Sequence, residues 1–377
     1  MSRIAIGPVG PAAMIGRVES PAWVSSWWTS GSAGVVAPAH AREVEMRRVA
    51  IVVAVAAVSA GFVTGCGESR EEALTDSGAP VTCEVKQGTK LGIATGNATG
   101  VFAALGNAFA DQVTLATDGR VTATAAETMA SVQNIQQLVA GKYQVAFAQT
   151  DTAADAVLGI GTFDGEKQPV QALARLYPSY TEVVVRADSG ITSLSELRGK
   201  RVSTGSPKSG TEMLARRLLR AGGLNPDSDI AVNRLDLGKA VAGMKDGSLD
   251  ALFFTGGLPT PGLTELFSSS YKDKFRFVDT SELLPGMRIL NPVYELGVIP
   301  AAVYGLPEDV PSIVVPNVLL VRDNLDADVA CVLTKALFDR KPQLEQAAAA
   351  AKGIVRDSAR ETNPVPLHRG AQHALEN

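Results

Sequence analysis

The chain has 377 residues, of which 46% are hydrophobic and 20% charged, with a formal net charge of −4. That length holds two ordinary domains, and that composition excludes both a disordered chain and a polytopic membrane protein. The charges of both signs are spread along the chain, which leaves no basic face for nucleic acid.

The first element is the apolar stretch from Met46 to Cys66, "MRRVAIVVAVAAVSAGFVTGC". Arg47 and Arg48 supply a positive start, and Val49 to Val63 is shorter than the roughly 20 residues that span a bilayer. Small residues then precede a cysteine, so 46–65 reads as an export signal rather than a spanning helix. Val63-Thr64-Gly65-Cys66 resembles the bacterial lipobox, which implies Cys66 as the lipidated first mature residue. An export signal belongs at the start of a chain. Met46 is therefore read as the initiator, and residues 1–45 as sequence that is not translated in the native protein.

From Cys66 to residue 88 the chain is polar and aperiodic, and a flexible tether between lipid and fold is expected there. Cys83 and Cys331 are the remaining cysteines, with no C-x-x-C and no zinc spacing. They are either a disulfide, which export would permit, or two separate buried thiols.

Leu91 to Gly106, "LGIATGNATGVFAALG", has the layout of an anion-binding loop: a short apolar run, glycines and threonines, then a helix. Gly92, Gly96 and Gly100 match neither the dinucleotide fingerprint nor a Walker loop, so the loop suits an anion but not a nucleotide. In the helix, Val101, Leu105, Ala108 and Phe109 form one stripe expected to be buried. Beyond it, short β-rich runs alternate with helical patterns, the mark of an α/β protein.

A weak internal repeat follows. Ile135 to Asp151 and Ala240 to Gly257 each run as an amphipathic helix, a glycine turn at Gly141 or Gly247, and a buried strand ending in small polar residues. Open α/β sheets place ligands at the carboxyl ends of such strands, so two similar lobes facing one cleft are expected. Between the repeats lie a strand at Arg201 to Thr204, a Gly/Ser loop, and a helix opened by Ser209 with Glu212 three residues on. That pair reads as a capping box. Ser209, Gly210 and Thr211 can also direct N–H groups and a hydroxyl at a carboxylate.

"GIATGNATGVF", "VAGKYQVAFAQTDTA", "ALARLYP", "LRGKRVSTGSPKSGTE", "DALFFTGG" and "VPLHRGA" occur in the order and spacing of the TAXI proteins, the solute receptors of one TRAP transporter branch. The chain resembles that family from Leu91 to its C-terminus. The resemblance implies a type II periplasmic-binding-protein fold, with two α/β lobes around a ligand cleft. Lobe I would comprise 89–181 and 317–377, and lobe II 182–316, hinged at Thr181 to Asp188 and Asn317 to Asp323. It also implies a monomeric lipoprotein on the extracytoplasmic face of the cell membrane. Such a receptor would deliver a small carboxylate or glutamate-like amino acid to a TRAP permease.

Carried over by motif, the cleft would receive Thr95, Gly96, Thr99, Gly100 and Val101 from the first loop, and Glu127 and Thr128 from "AAETMAS". Gln149, Thr150 and Asp151 would follow from the next strand, Tyr177 from "LYP", Ser209, Gly210, Thr211 and Glu212 from the second lobe, and Thr255 and Gly256 from its last loop. Phe102, Thr150 and "ETM" at Glu127 to Met129 depart from the family's usual residues, so glutamate specificity does not transfer with the rest.

Catalysis is the rival class, and the inventory speaks against it. The histidines are His40, His368 and His373, which serve a Ser/His/Asp arrangement only if His368 enters the cleft. No H-E-x-x-H or His/Cys cluster suggests a metal, and no cofactor is expected. Asp151 and Glu127 are an acid and base only if they meet; otherwise Asp151 caps the following helix and Glu127 is solvated. Lys208 and Arg175 are the candidate cations for a carboxylate. A ligand-sensing lipoprotein without a transport role would need the same cleft, and an enzyme sharing the fold is the remaining alternative.

Overall fold

In the computed structural model, residues 74–271 and 273–377 are described. The proposed export signal, Cys66 and the first 45 residues lie outside them.

The chain alternates strands and helices along its first half. In order, β1 (Thr89–Ala94), α1 (Val101–Ala116), β2 (Val121–Ala126), α2 (Ser131–Val139), β3 (Val145–Gln149) and α3 (Thr150–Leu158) lead into β4 (Val170–Arg186). Next come β5 (Arg201–Ser203), α4 (Gly210–Ala221), β6 (Ala231–Asn233), α5 (Leu237–Asp246) and β7 (Ala251–Gly256). Shorter pieces follow: α6 (Pro261–Thr264), β8 (Phe275–Phe277), α7 (Leu284–Leu290), β9 (Glu295–Ile299) and α8 (Ala301–Tyr304). The long strand β10 (Val310–Arg322) precedes α9 (Ala327–Asp339), α10 (Lys341–Ala347) and α11 (Arg369–Glu376).

The strands form one curled sheet in the order β2-β1-β3-β10-β4-β7-β5-β6, with β8 on β4 and β9 on β10. Its two ends are parallel, as strand–helix–strand crossovers require, and its centre is antiparallel. β10 and β4 lie side by side at that centre. Residues 170–180 of β4 pair with β10, and 180–185 pair with β7. Pro178 and Pro316 face each other where this change of partner occurs, and the register shifts just beyond them. Neither proline has an N–H to give the ladder, so the sheet can bend there without breaking a bond.

The core divides at the same place. Leu173, Leu176 and Tyr177 of β4 join a cluster with α1 and α9, and Val170 and Ala172 one with α2, whereas Val183 and Val185 join one with α4 and α7. We call the two parts the first and second halves. The helices cover both faces of the sheet, giving a mixed α/β architecture. Both repeat units turn on left-handed glycines, Gly141 at φ +75° and Gly247 at φ +80°, a conformation that favours glycine. On α1, Val101, Leu105 and Phe109 are buried, but Ala108 lies at the edge of the stripe, where Val113 completes the covered face.

The expected tether is a different matter from residue 74 onward. Asp76 forms an ion pair with Arg369 of α11, the Asp76 N–H bonds the Asn324 carbonyl at 2.8 Å, and the Thr82 and Cys83 N–H groups bond Asp328 Oδ1 at 2.6 and 2.8 Å. Cys83 and Cys331 form a disulfide across a sequence separation of 248 residues. Local aperiodicity is therefore compatible with order, because the anchors are distant in sequence.

A crosslink closing so long a loop limits the freedom of the unfolded chain. Replacing both cysteines with serine is expected to cost about 3 kcal/mol in a urea titration, and reductant should destabilise the parent similarly while leaving the double variant unchanged.

Candidate functional site

The cleft lies between the halves, beside the carboxyl ends of β1, β3 and β7. Ten of the residues suggested by sequence line it: Gly96, Gly100, Val101, Gln149, Tyr177, Ser209, Gly210, Thr211, Thr255 and Gly256. Helix α1 starts here, with Gly100 as its N-cap and no side chain satisfying its first N–H groups. Helix α4 starts opposite. Ser209 Oγ accepts the Glu212 N–H at 3.0 Å, which leaves the hydroxyl proton and the neighbouring N–H groups to face the cleft.

Three buried polar atoms in this lining have no partner: Gln149 Oε1, Tyr177 Oη and Thr255 Oγ1. Gln149 is held by its Nε2, which donates to the Thr255 carbonyl at 3.4 Å. Gly210 makes room for it, since a Cβ there would overlap Gln149 Oε1. Thr211 Oγ1 accepts the Thr255 N–H at 3.3 Å, so its own proton remains available. Burial raises the Tyr177 hydroxyl well above its ordinary range, which keeps it a neutral donor.

Seven suggested residues belong elsewhere. Thr95 donates to the Ala126 carbonyl at 2.7 Å and packs under Gly106 of α1. Thr99 is exposed, and its carbonyl receives the Gly262 N–H from the other half at 3.1 Å. Glu127, also exposed, accepts the Ala98 N–H at 3.2 Å, and Thr128 donates to Asn134 Oδ1 at 2.6 Å; both border the groove outside the cleft. Thr150 donates to the Pro316 carbonyl at 2.9 Å.

Asp151 lies wholly buried with Asp155 in an ion cluster around Arg217. It is not the N-cap of α3, which is Gln149, although its Oδ1 accepts the Thr152 N–H of the first turn at 2.6 Å. Glu212 accepts the Lys208 N–H at 2.8 Å and pairs with Arg234 Nε at 2.6 Å, so its bond reaches back one residue further than a standard capping box. The candidate cations do not enter either. Lys208 bonds Gln136 at 3.3 Å, and Arg175 pairs with Glu295 and Glu361. His368 caps α11, accepting the Gly370 N–H at 3.1 Å, and does not face the cleft.

Among the residues that sequence reasoning missed, Asn97 matters most. Its Oδ1 accepts the Leu237 N–H at the start of α5 at 3.1 Å and the Ser206 hydroxyl at 3.3 Å, tying the first half to the second. Its position inside "TGNATG" was the available signal, since asparagine in a glycine loop often bonds neighbouring backbone. Ser179 and Gly205 also line the cleft, and Phe102, Leu235, Phe253 and Phe254 supply an apolar wall. These apolar residues carry no pattern that separates a ligand wall from core. The halves meet closely here, leaving about 40 Å³ for the centres of water-sized molecules. That accommodates a few waters.

Residues 93–376 match the family model described as the NMT1-like family. The chain belongs to that family. Among solved structures, this NMT1-like chain is similar to PhnD1 of Prochlorococcus marinus (MIT 9301) in complex with methylphosphonate, at 10% identity over 73% of this chain and 95% of that one, with a TM-score of 0.49. It is also similar to the alkanesulfonate-binding protein SsuA of Xanthomonas axonopodis pv. citri bound to MOPS, at 16% identity over 78% and 85% of the two chains, with a TM-score of 0.42. A TRAP periplasmic solute-binding protein from Sulfitobacter sp. NAS-14.1 with bound β-D-galacturonate matches at 12% identity over 76% and 91%, with a TM-score of 0.41.

Proposed function

We propose that this NMT1-like protein is an extracytoplasmic solute receptor that binds a small carboxylate between its halves and passes it to a membrane permease. The carrying observation is the convergence of three unpartnered buried polar atoms, on Gln149, Tyr177 and Thr255, upon a cleft opened by the N-termini of α1 and α4. Buried polar groups without partners are costly, and a bound polar ligand removes that cost. Helix N-termini favour an anion, and held by donors alone it can also be released.

The resemblance to TAXI receptors supports a TRAP permease as the partner and small carboxylates or glutamate-like amino acids as the ligand class. The disulfide fits an oxidising compartment and hence export. A lipid on Cys66 and a hinge through β4 and β10 complete this reading. Mass spectrometry of the native protein tests the anchor, which requires lipid-modified Cys66 as the first residue.

A thermal-shift screen of small acids identifies the ligand, because a ligand selective for the folded state raises its melting temperature by mass action. With that ligand, Thr211→Val is expected to weaken binding about ten- to a hundredfold in calorimetry, the worth of one hydrogen bond to a charged group. Thr99→Val should bind like the parent, since Thr99 is outside the cleft. Parent-like affinity in Thr211→Val would remove α4 from the site.

A further inference from the structure

Resting on the carboxylate reading above, we infer that the ligand is a small hydroxycarboxylate with an apolar tail rather than a zwitterionic amino acid. No Asp, Glu, Lys or Arg lines the cleft among the described residues. The carboxylate has a substitute for a cation in the free N–H groups that begin α1 and α4. An ammonium group has no comparable substitute and would be buried without a counter-charge, which is far costlier than burying a hydroxyl.

The acids near the cleft mouth are already committed. Glu127 accepts the Ala98 N–H, Glu212 pairs with Arg234, and Asp236 caps α5 while pairing with Lys239 at 2.8 Å. The ligand nevertheless needs a donor. Gln149 Oε1 can only accept, and with Nε2 turned to the Thr255 carbonyl the amide cannot reverse without setting oxygen against oxygen. A hydroxyl supplies that proton while remaining neutral. The apolar wall formed by Phe102, Leu235, Phe253 and Phe254 suits a hydrocarbon remainder, not a second charge.

The test is calorimetric titration of the full mature protein with two matched sets of acids: lactate, alanine and propionate, then 2-hydroxyisocaproate, leucine and 4-methylpentanoate. In at least one set the hydroxy acid is expected to bind at least about tenfold tighter than both its amino and its unsubstituted counterpart. Gln149→Glu, which has the same shape but a negative charge, should reverse the order and favour the amino acid. An amino acid or plain acid that matches the hydroxy acid in every set that binds the parent overturns the inference and leaves the carboxylate reading standing. If none of the six binds while an uncharged or cationic solute does, the carboxylate reading falls, and this inference with it.

Discussion

Arg217→Met is expected to lower the unfolding free energy by about 3–5 kcal/mol, the cost of stranding buried carboxylates without their cation. Arg217 of α4 reaches across the halves to Asp151 and Asp155, both fully buried on α3. Its Nη1 also donates to the Tyr294 hydroxyl at 2.9 Å, and that hydroxyl donates to Asp151 Oδ2 at 2.7 Å. Asn291 adds a bond to the Asp151 carbonyl at 3.3 Å. One guanidinium therefore serves two acids and a phenol in a nearly dry space. Methionine fills the stem volume of arginine, so the loss reports charge rather than a cavity.

The pH dependence provides a second readout. Burial, partly opposed by Arg217, pushes the Asp155 carboxyl up to about 6 from its usual 3.8. A folded value raised above the unfolded one contributes stability that is complete below about 3.8 and lost as pH rises through about 6. Without Arg217, which opposes the upward shift, the Asp155 carboxyl should stay protonated to higher pH, and the decline should extend beyond 6. Urea titrations at pH 5, 7 and 8 measure this. Converting Asp151 and Asp155 to asparagine in the Arg217→Met background should recover much of the loss, whereas equal losses at every pH would show that the cluster acts through packing alone.

The same residues show which parts of the molecule were legible in sequence. The alternation of strand and helix and the two glycine-turned repeat units are local patterns, and they specified the α/β class. Cleft-lining residues followed wherever a loop begins a helix, as at Gly100 and Ser209 to Thr211, because free N–H groups must point along the helix axis. Side-chain direction was not legible. Thr95 and Thr99 each precede a glycine of the same loop, yet Thr95 turns under α1 and Thr99 faces solvent, a choice made by packing against Gly106 and by the contact with Gly262. Asp151 looked like a cleft acid because its cation lies 66 residues away on another helix. Residues 74–88 looked like a tether because their anchors, Asn324, Asp328, Cys331 and Arg369, are near the other end of the chain.

Glu182→Gln is expected to make the protein more stable than the parent above about pH 8 while changing little near pH 4. Glu182 is fully buried on β4, directly opposite Phe254 of the cleft wall, and its carboxyl meets only hydroxyls: Thr260 Oγ1 at 2.6 Å and Tyr304 Oη at 2.5 Å. With no cation to stabilise the anion, desolvation pushes the group up to about 8 from 4.5, against the partial help of those hydroxyls. The neutral acid suits the site completely. Its proton can go to Thr260 Oγ1, whose own proton goes to the Gly257 carbonyl at 3.2 Å, while Thr260 N–H donates to Tyr304 Oη at 2.6 Å and Tyr304 donates to the second carboxyl oxygen. Because the folded value lies above the unfolded one, this stability is complete below about 4.5 and is lost as pH rises to about 8. The loss is about 1.4 kcal/mol per pH unit, on the order of 4–5 kcal/mol over the window. Glutamine reproduces both bonds, with Nε2 donating to Thr260 and Oε1 accepting from Tyr304, and has no proton to lose. Comparing urea midpoints of parent and variant at pH 4, 6 and 9 cancels the other titrating groups. Curves that diverge steadily above pH 4.5, with the variant ahead, support a neutral Glu182; parallel curves would mean that the folded protein already holds it as a carboxylate.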